Sequence, residues 1–290
     1  MKRLTHFLSV LVLLWLCSPD ATAQQIVRAS GAVSVALPMA EAANILRSER
    51  GIELILRAGG GTGMGLDALG ERTSNIALCS RELTPVDRAD YPAIQFNEIP
   101  IGVQVVSLAV SRDVWMGGVH SLTASQVRGL YEGKITNWQQ VGGPNTRVKV
   151  FMIEQGHGSW EVLVQWLYKE IKKAPVWRGA KVKELQETRN MLEFTPGALA
   201  LIPPAFADNQ SIFPLAIQED DSSTPVEPTL SNILKQKYPL SRPLVLVVDD
   251  KPTGAVKIVV DFMTSERGQA LMRQFGYVTL AELRAGKEKQ

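Results

Sequence analysis

Short apolar runs alternate with amphipathic helical stretches from Gln24 onward, and this alternation restricts the fold more than any other feature of the chain. The runs Gln25–Ala29, Ile52–Leu56 and Ile76–Cys79 have the length and apolar character of buried strands. Between the first two runs, Pro38–Glu49 has helical spacing. Strands separated by helices are typical of βαβ units, so the sequence predicts an α/β fold with mixed sheets flanked by helices.

A glycine-rich stretch, Gly59–Gly65, follows the second predicted strand and leads into a helical pattern. Glycine permits positive φ angles and close backbone approach, and the first turn of a helix has N–H groups without a helical partner. Strand, turn and helix therefore form a cradle for an anion, in which Thr62 adds a hydroxyl and Gly63 lies in the same turn. No Gly-Lys-Ser/Thr follows, which excludes the phosphate loop of nucleotide hydrolases. The alternative is a tight turn that binds nothing.

Two neighbouring strand-to-helix turns carry polar residues as well. In α/β sheets the ligand crevice lies at the carboxyl ends of the strands, so the turns with Ser34, Thr62 and Ser80-Arg81 are expected to converge there. Ser34 has the alternative role of a helix cap. Arg81 has the alternative of a surface ion pair with Glu82 or another neighbouring acid.

A second block of strands and helices begins after residue 100. The nearly continuous apolar run Pro100–Val110 predicts a buried strand that carries the chain from one lobe into another, and Leu244–Val248 is predicted to return it. Within this block, the strand Val148–Met152 leads into a second glycine-containing turn. There Gly158 and Ser159 offer an N–H and a hydroxyl at a helix start.

The first residues have the order of a secretory signal peptide. Basic residues precede the apolar run Phe7–Leu16, and small residues at 21–23 precede the predicted cleavage site. The segment 1–23 is therefore predicted to be removed, and the apolar run is too short to span a bilayer. Cys17 suggests a lipid anchor as an alternative, although the bulky Leu16 beside it disfavours lipidation. The charged tail Arg284–Gln290 is expected to be frayed.

Charge and cysteine content exclude several classes of protein. Removal of residues 1–23 lowers the formal charge from +2 to +1, and no basic helix face is present, so the sequence indicates no nucleic-acid partner. Cys79 is the only cysteine left after cleavage, so no internal disulfide can form. It is interpreted as a small strand-end residue rather than a nucleophile, because no histidine is near it in sequence. The chain is long enough for two compact lobes.

Several motifs together resemble a known family. Those near the start are Ser30-Gly31-Ala32, Gly61-Thr62-Gly63-Met64-Gly65 and Asn75–Thr84, and those further on are Leu130–Trp138, Thr195–Ala198, Tyr238–Leu244 and Pro252–Ala255. In this order they are similar to the motifs of periplasmic phosphate-binding proteins of ABC transporters. The resemblance implies a type II periplasmic binding protein of two lobes joined by a two-strand hinge, which closes on an oxyanion without catalysis. It further implies residues 24–103 plus 243–290 in lobe 1 and residues 104–242 in lobe 2.

The resemblance also implies a set of ligand-binding positions. They are Ser34, Val35, Thr62, Asn75, Ile153, His157, Gly158 and Ser159. The family has an Asp where this chain has Asn75, and the neutral amide relaxes the discrimination against sulfate. The family has an Arg where this chain has Ile153, so the bidentate pair between that Arg and phosphate is lost. An oxyanion favours the protonated form of an imidazole held near it. The presence of His157 therefore predicts that anion binding strengthens as the pH falls toward about 6.

We therefore expect an exported, monomeric solute-binding protein that takes inorganic phosphate or a similar oxyanion, with an ABC permease as partner and with no cofactor, metal or membrane insertion. Two alternatives belong to other classes. One is an adhesin, sensor or scaffold protein without a transport role on the same fold. The other is a serine hydrolase that uses Ser34 or Ser159, which the absence of a Gly-x-Ser-x-Gly elbow disfavours.

Overall fold

A computed structural model of the chain describes residues 25–153, 158–170, 174–182 and 184–288. The predicted signal peptide, residues 1–23, lies outside this part of the chain. The strands are β1 (Gln25–Gly31), β2 (Ile52–Ala58), β3 (Ile76–Cys79), β4 (Phe96–Val105), β5 (Ser107–Ser111), β6 (Ser121–Thr123), β7 (Lys149–Ile153), β8 (Ala180–Val182), β9 (Ala198–Ile202), β10 (Ile212–Pro214), β11 (Ala216–Gln218) and β12 (Ser241–Asp249).

The helices alternate with these strands along most of the chain. They are α1 (Val33–Arg50), α2 (Gly61–Gly70), α3 (Pro85–Asp90), α4 (Arg112–Met116), α5 (Ala124–Tyr131), α6 (Gly158–Tyr168), α7 (Leu185–Phe194), α8 (Leu230–Leu234), α9 (Gly254–Thr264), α10 (Glu266–Gln274) and α11 (Leu280–Glu288), with short 3-10 helices at Trp138–Val141 and Pro204–Phe206.

The first lobe is built on a five-stranded mixed sheet with the order β2-β1-β3-β12-β4. Strand β1 runs parallel to β2 and β3, while β12 runs antiparallel to β3 and β4. The carboxyl ends of the three parallel strands therefore share one edge of the sheet. Helices α1 and α2 start at that edge, directly after β1 and β2.

Apolar residues on both faces of this sheet hold the first lobe together. Helix α1 presents Val35, Met39 and Leu46 to one face, and each of these side chains is at most 1% exposed. On the other face, helix α2 contributes Leu66 and Leu69 to a smaller cluster. Spacings of three, four and seven residues place these side chains on one side of each helix.

The second lobe is built on a second five-stranded mixed sheet, with the order β10-β5-β9-β7-β8. Strand β7 runs parallel to β8 and β9, and β5 runs antiparallel to β9 and β10. Its main core includes the fully buried rings of Trp138 and Tyr131 together with Leu163 of α6. Helix α6 follows β7, as α1 follows β1 in the first lobe.

The chain crosses between the two sheets on strands, as the apolar runs predict. Strand β4 lies in the first sheet and β5 in the second, and the residue between them, Val106, donates its N–H to the carbonyl of Leu240 at 3.0 Å. The predicted single strand Pro100–Val110 is therefore two strands. Strand β12 begins at Ser241 beside this crossing and brings the chain back to the first sheet. The predicted lobe boundaries at 103/104 and 242/243 fall inside β4 and β12 and stay predictions.

Two local expectations are corrected. Helix α1 begins at Val33 rather than at Pro38, so Pro38 lies inside the helix. The helix continues through it although the nitrogen of Pro38 cannot donate a hydrogen bond. The tail expected to be frayed is helical through Glu288, and α11 packs against α8 and β4. A Cβ atom at Gly286 would lie 2.4 Å from Leu234, which shows how closely these helices approach.

Candidate functional site

A cleft of about 850 Å³ lies between the two lobes. Its walls come from the glycine-rich turn and the end of β3 in the first lobe, from α6 in the second lobe, and from the start of β12. The lining residues are Gly59, Gly60, Gly61, Thr62, Gly63, Ser80, Arg81, Glu161, Val162, Gln165, Trp166, Pro239, Ser241 and Arg242. The cleft thus lies at the edge where the sequence predicts the strand-to-helix turns to meet.

The first of these turns places Ser34 beside a cation that the sequence analysis does not identify. Ser34 is fully buried in the first turn of α1, and its Oγ accepts a hydrogen bond from Nη2 of Arg242 at 3.2 Å. The helix cap is Ala32, so the alternative role of Ser34 as a cap does not apply. Val35 is also fully buried, and its N–H bonds to the carbonyl of Ala32 at 3.2 Å.

The second and third turns are joined by one hydrogen bond. The backbone N–H of Ser80, just after β3, donates to Oγ1 of Thr62 at 3.0 Å, and both residues line the cleft. A hydroxyl that accepts this bond keeps its own proton for donation to another group. Thr62 is 7% exposed, so the hydroxyl is partly shielded from water. Gly63 follows in α2, and a Cβ atom built there would have open space around it.

Arg81 lines the cleft, but its guanidinium is held by an acid of its own lobe. Nη1 and Nη2 donate to the two carboxylate oxygens of Asp87 at 2.6 and 2.8 Å. This pairing raises the pKa of Arg81 and holds the pKa of Asp87 well below its usual range. The sequence gives an ion pair with a neighbouring acid as the alternative role of Arg81. This ion pair is present, and Asp87 neutralises the charge of Arg81.

Asn75 lies away from the cleft. It is exposed at the amino-terminal end of β3, and its Oδ1 accepts a hydrogen bond from the backbone N–H of Arg28 at 2.9 Å. Ser80 occupies the cleft end of the same strand. The prediction that Asn75 contacts the anion therefore lacks geometric support, because the end at which ligands meet a parallel strand is its carboxyl end.

The second lobe contributes helix α6. Gly158 and Ser159 begin this helix, as predicted, and Ser159 is 5% exposed. The first turn of α6 also brings Glu161 to the cleft, and a later turn brings Trp166, whose Nε1 donates to a carboxylate oxygen of Glu219 at 2.9 Å. His157 and the side chain of Ile153 lie outside the described residues, so the predicted effect of pH through His157 stays a prediction.

Two cleft residues escape sequence reasoning: Glu161 and Arg242. Arg242 belongs to a motif that carries the family resemblance, yet nothing local assigns it a ligand. Ser80 lies in a turn that is predicted to reach the crevice, and it lines the cleft. One sequence feature could have identified Glu161. It is an acid in the first turn of a helix that follows a glycine-containing loop, and the dipole of α6 favours a carboxylate there.

The described residues offer little support for other chemistry at this site. They contain no cluster of three or more His, Cys, Asp or Glu side chains placed to hold a metal ion. Burial raises the pKa of the Cys79 thiol to about 12, as expected for a packed strand-end residue rather than a nucleophile. His120 lies far along the chain from these turns, and its ring lies 4.4 Å from the ring of Trp115 at an angle of 43°. Among the described helices, none has the length and apolarity needed to cross a membrane.

Two mixed α/β lobes, crossing strands and a cleft between the lobes define a two-lobed periplasmic binding protein fold. The sequence pattern of the PBP superfamily domain matches residues 18–267, and the chain belongs to this family.

Comparisons with individual proteins agree with this assignment. The phosphate-binding protein PstS of Borreliella burgdorferi is 25% identical over 228 residues, covering 75% of this chain and 77% of the relative. The crystal structure of an ABC-type phosphate transport receptor from Vibrio cholerae superposes with a TM-score of 0.67 at 24% identity, covering 88% of this chain and 100% of that one. The PstS structure from Borrelia burgdorferi gives a TM-score of 0.62 at 22% identity, with 88% and 98% coverage.

Proposed function

We propose that this protein captures an oxyanion, with inorganic phosphate as the first candidate, in the cleft between its lobes and delivers it to an ABC permease. The observation that carries the proposal is the convergence of hydroxyl groups, helix amino termini and a guanidinium at one cleft. Thr62 and Ser80 meet there from the first lobe, and Arg242 reaches it from β12. Names of relatives such as phosphate-binding protein PstS support the same ligand.

We further propose that binding is coupled to closure of the lobes and involves no catalysis. The crossing strands β4 and β12 serve as the hinge, with lobe 1 formed by residues 24–103 plus 243–290 and lobe 2 by residues 104–242. Hinge closure around a ligand is a common motion of two-lobed binding proteins. The protein acts outside the cytoplasm after residues 1–23 are cleaved.

A thermal-shift screen of the purified protein against phosphate, sulfate, phosphonates and organic phosphates tests the proposed function. A ligand at about 100 times its Kd stabilises the folded state by about 2.7 kcal/mol, which raises the melting temperature measurably. We expect phosphate to give a shift that titration calorimetry confirms as 1:1 binding. The absence of a shift with every oxyanion, together with no heat of binding for phosphate, would contradict the proposal.

A further inference from the structure

A second concave site lies in the second lobe, away from the cleft. It has a volume of about 550 Å³, and we call it the basal pocket; it is lined by residues 130, 133, 135, 136, 147–151 and 178–180. None of these described lining residues also lines the cleft. The basal pocket is built around the start of β7, whereas the cleft lies beyond the end of this strand, where α6 begins. Its volume falls in the range of small-molecule sites.

Three basic side chains surround the basal pocket: Arg147, Lys149 and Arg178. All three residues are exposed, and none of them takes part in the ion pairs or side-chain hydrogen bonds found in the described part of the chain. The described lining residues include no Asp or Glu. Glu132, the acid nearest to them in sequence, is held by Lys134 at 2.6 Å. The lining of the pocket therefore carries three positive charges and no acid that compensates them.

Two of these cations come from neighbouring strands. Phe151 of β7 and Ala180 of β8 are partners in a parallel pair, and Lys149 and Arg178 precede them by two residues each. Neighbouring strands lie about 4.8 Å apart, so the two residues enter the sheet at the same end and line the same pocket. Like charges placed side by side across two strands repel each other. A bound anion would relieve this repulsion.

Backbone hydrogen bonds hold the walls of the basal pocket in place. The N–H of Arg178 donates to the carbonyl of Tyr131 at 2.9 Å, and the N–H of Val148 donates to the carbonyl of Thr136 at 2.9 Å. A Cβ atom at Gly133 would lie 3.0 Å from Cδ of Arg178, so this side chain packs across the turn that follows α5. The three wall segments are thus joined before any ligand arrives, which lowers the ordering cost of binding.

The floor of the basal pocket is apolar. Leu130 and Val150 are 1% and 7% exposed, and Ile135, Val148 and Phe151 are half-buried around them. A ligand with an apolar face gains free energy by covering such a floor, whereas a small inorganic anion leaves it in contact with water. Cations at the rim and an apolar floor therefore match an anion that carries an organic part.

We propose that the basal pocket binds an organic phosphate with two or more negative charges, a class to which nucleotides belong. Its phosphate groups contact Arg147, Lys149 and Arg178, because a guanidinium offers phosphate two parallel hydrogen bonds and an ammonium adds a point charge. Its organic part lies on the apolar floor. This inference goes beyond the proposed function and does not rest on it, since the pocket and the cleft have different lining residues.

Titration calorimetry of the purified protein with ADP as the probe tests this inference. We expect 1:1 binding that weakens as salt is added, because the three basic side chains are exposed and salt screens them. Pyrophosphate lacks the organic part and should bind about tenfold more weakly or worse, and adenosine, which lacks the phosphate groups, should give no heat of binding. Pyrophosphate that binds as tightly as ADP would overturn the assigned class of ligand.

A double variant, Lys149→Gln with Arg178→Gln, locates the site. We expect it to weaken ADP binding by about tenfold or more, because two charge-assisted hydrogen bonds are lost, and to leave the affinity for inorganic phosphate at the cleft unchanged. The matched control is Lys257→Gln with Arg267→Gln, which removes two exposed cations from α9 and α10 and should leave ADP binding unchanged.

The results for ADP and for inorganic phosphate are read separately, so that either proposal can fail alone. If the unmodified protein does not bind ADP, or if the double variant at Lys149 and Arg178 binds ADP as tightly as the unmodified protein, the basal pocket is not the site and this inference is overturned. Neither result touches the proposed function, which depends on phosphate binding at the cleft.

Discussion

At the scale of single residues, the cleft depends on hydrogen bonds that link neighbouring turns. The hydroxyl of Thr62 is the clearest case, because it accepts the N–H of Ser80 and lies at the wall of the cleft. The same group therefore has a structural and a proposed binding role, and a pair of substitutions separates them.

Replacing Thr62 by Val keeps the shape of the side chain and removes the hydroxyl. We expect Thr62→Val to lower the free energy of unfolding by about 1–3 kcal/mol, because the buried N–H of Ser80 loses its acceptor, and to weaken phosphate binding. Thr62→Ser keeps the hydroxyl and is the matched control for both measurements. Urea unfolding and calorimetry check the two effects. A Thr62→Val protein that matches Thr62→Ser in stability and affinity would refute the role of the hydroxyl.

Cys79 provides a test of packing at the end of β3. Its thiol is fully buried, and burial raises the pKa to about 12, so very little thiolate is present at neutral pH. We expect a thiol reagent to label native protein carrying Cys17→Ser about a thousandfold more slowly than the same protein in urea. Rapid labelling of the native protein would show that β3 opens locally.

The carboxyl group of Asp87 makes the free energy of unfolding depend on pH. Arg81 and the cap of α3 lower the pKa of its carboxyl in the folded protein below the value of the unfolded chain. A group with a lowered folded pKa stabilises the protein above the unfolded value of about 3.9 and loses this contribution as the pH falls through the folded pKa. We expect Asp87→Asn to cost about 1 kcal/mol at neutral pH. This cost should shrink below about pH 4. The exposed Asp90→Asn is the control at neutral pH, where it should change the free energy of unfolding little.

At the scale of secondary-structure elements, the fit of α2 against the first sheet is the feature most sensitive to substitution. A Cβ atom at Gly65 would lie 2.6 Å from the carbonyl oxygen of Ser30, so the helix can approach β1 only because this residue is glycine. Gly63 is in the same helix but faces open space.

The two glycines make a matched pair. We expect Gly65→Ala to destabilise the protein by about 1–3 kcal/mol, because the added methyl pushes α2 away from β1. Gly63→Ala should leave stability unchanged or raise it by up to about 1 kcal/mol, since alanine is the better helix former. Urea denaturation of both variants checks this, and equal effects would show that the contact between α2 and β1 is not close.

Sequence patterns predict these elements well and the cleft only partly. Strand β3 is predicted with its observed bounds, and the turn after β2 is correctly assigned to the start of a helix. The contact of Asn75 with the anion, which the resemblance implies, stays a prediction. The structure places Asn75 at the amino-terminal end of β3 and Ser80 at its carboxyl end, where the rule for α/β sheets locates ligands. Arg242 and Ser34 are 208 positions apart, and no local pattern indicates a contact at that separation.

At the scale of the whole molecule, the function depends on two lobes that share a hinge. The carboxylate of Glu161 and the indole of Trp166 lie on the second wall of the cleft, facing the glycine-rich turn of the first. The proposed closure of the cleft would change the surroundings of this indole and bring the lobes closer. Both changes can be measured without a label.

We expect saturating phosphate to decrease the radius of gyration measured by small-angle X-ray scattering and to change the tryptophan emission. Because other tryptophans also emit, Trp166→Phe is the control that assigns the signal, and most of the change should disappear in this variant. Scattering curves that are identical with and without phosphate would show that binding does not require closure.

The final helix gives the molecule a property that the crossing strands alone would not provide. Helix α11 rests on β4 of the first lobe and on α8, whose Ile233 belongs to the core of the second lobe. It therefore tethers the two halves independently and reduces the range of orientations that they sample. In a protein shortened before Leu280, the two lobes sample more open arrangements. The fraction of molecules in the arrangement that can bind the ligand is then smaller. This weakens the apparent affinity even though every contact with the ligand is intact.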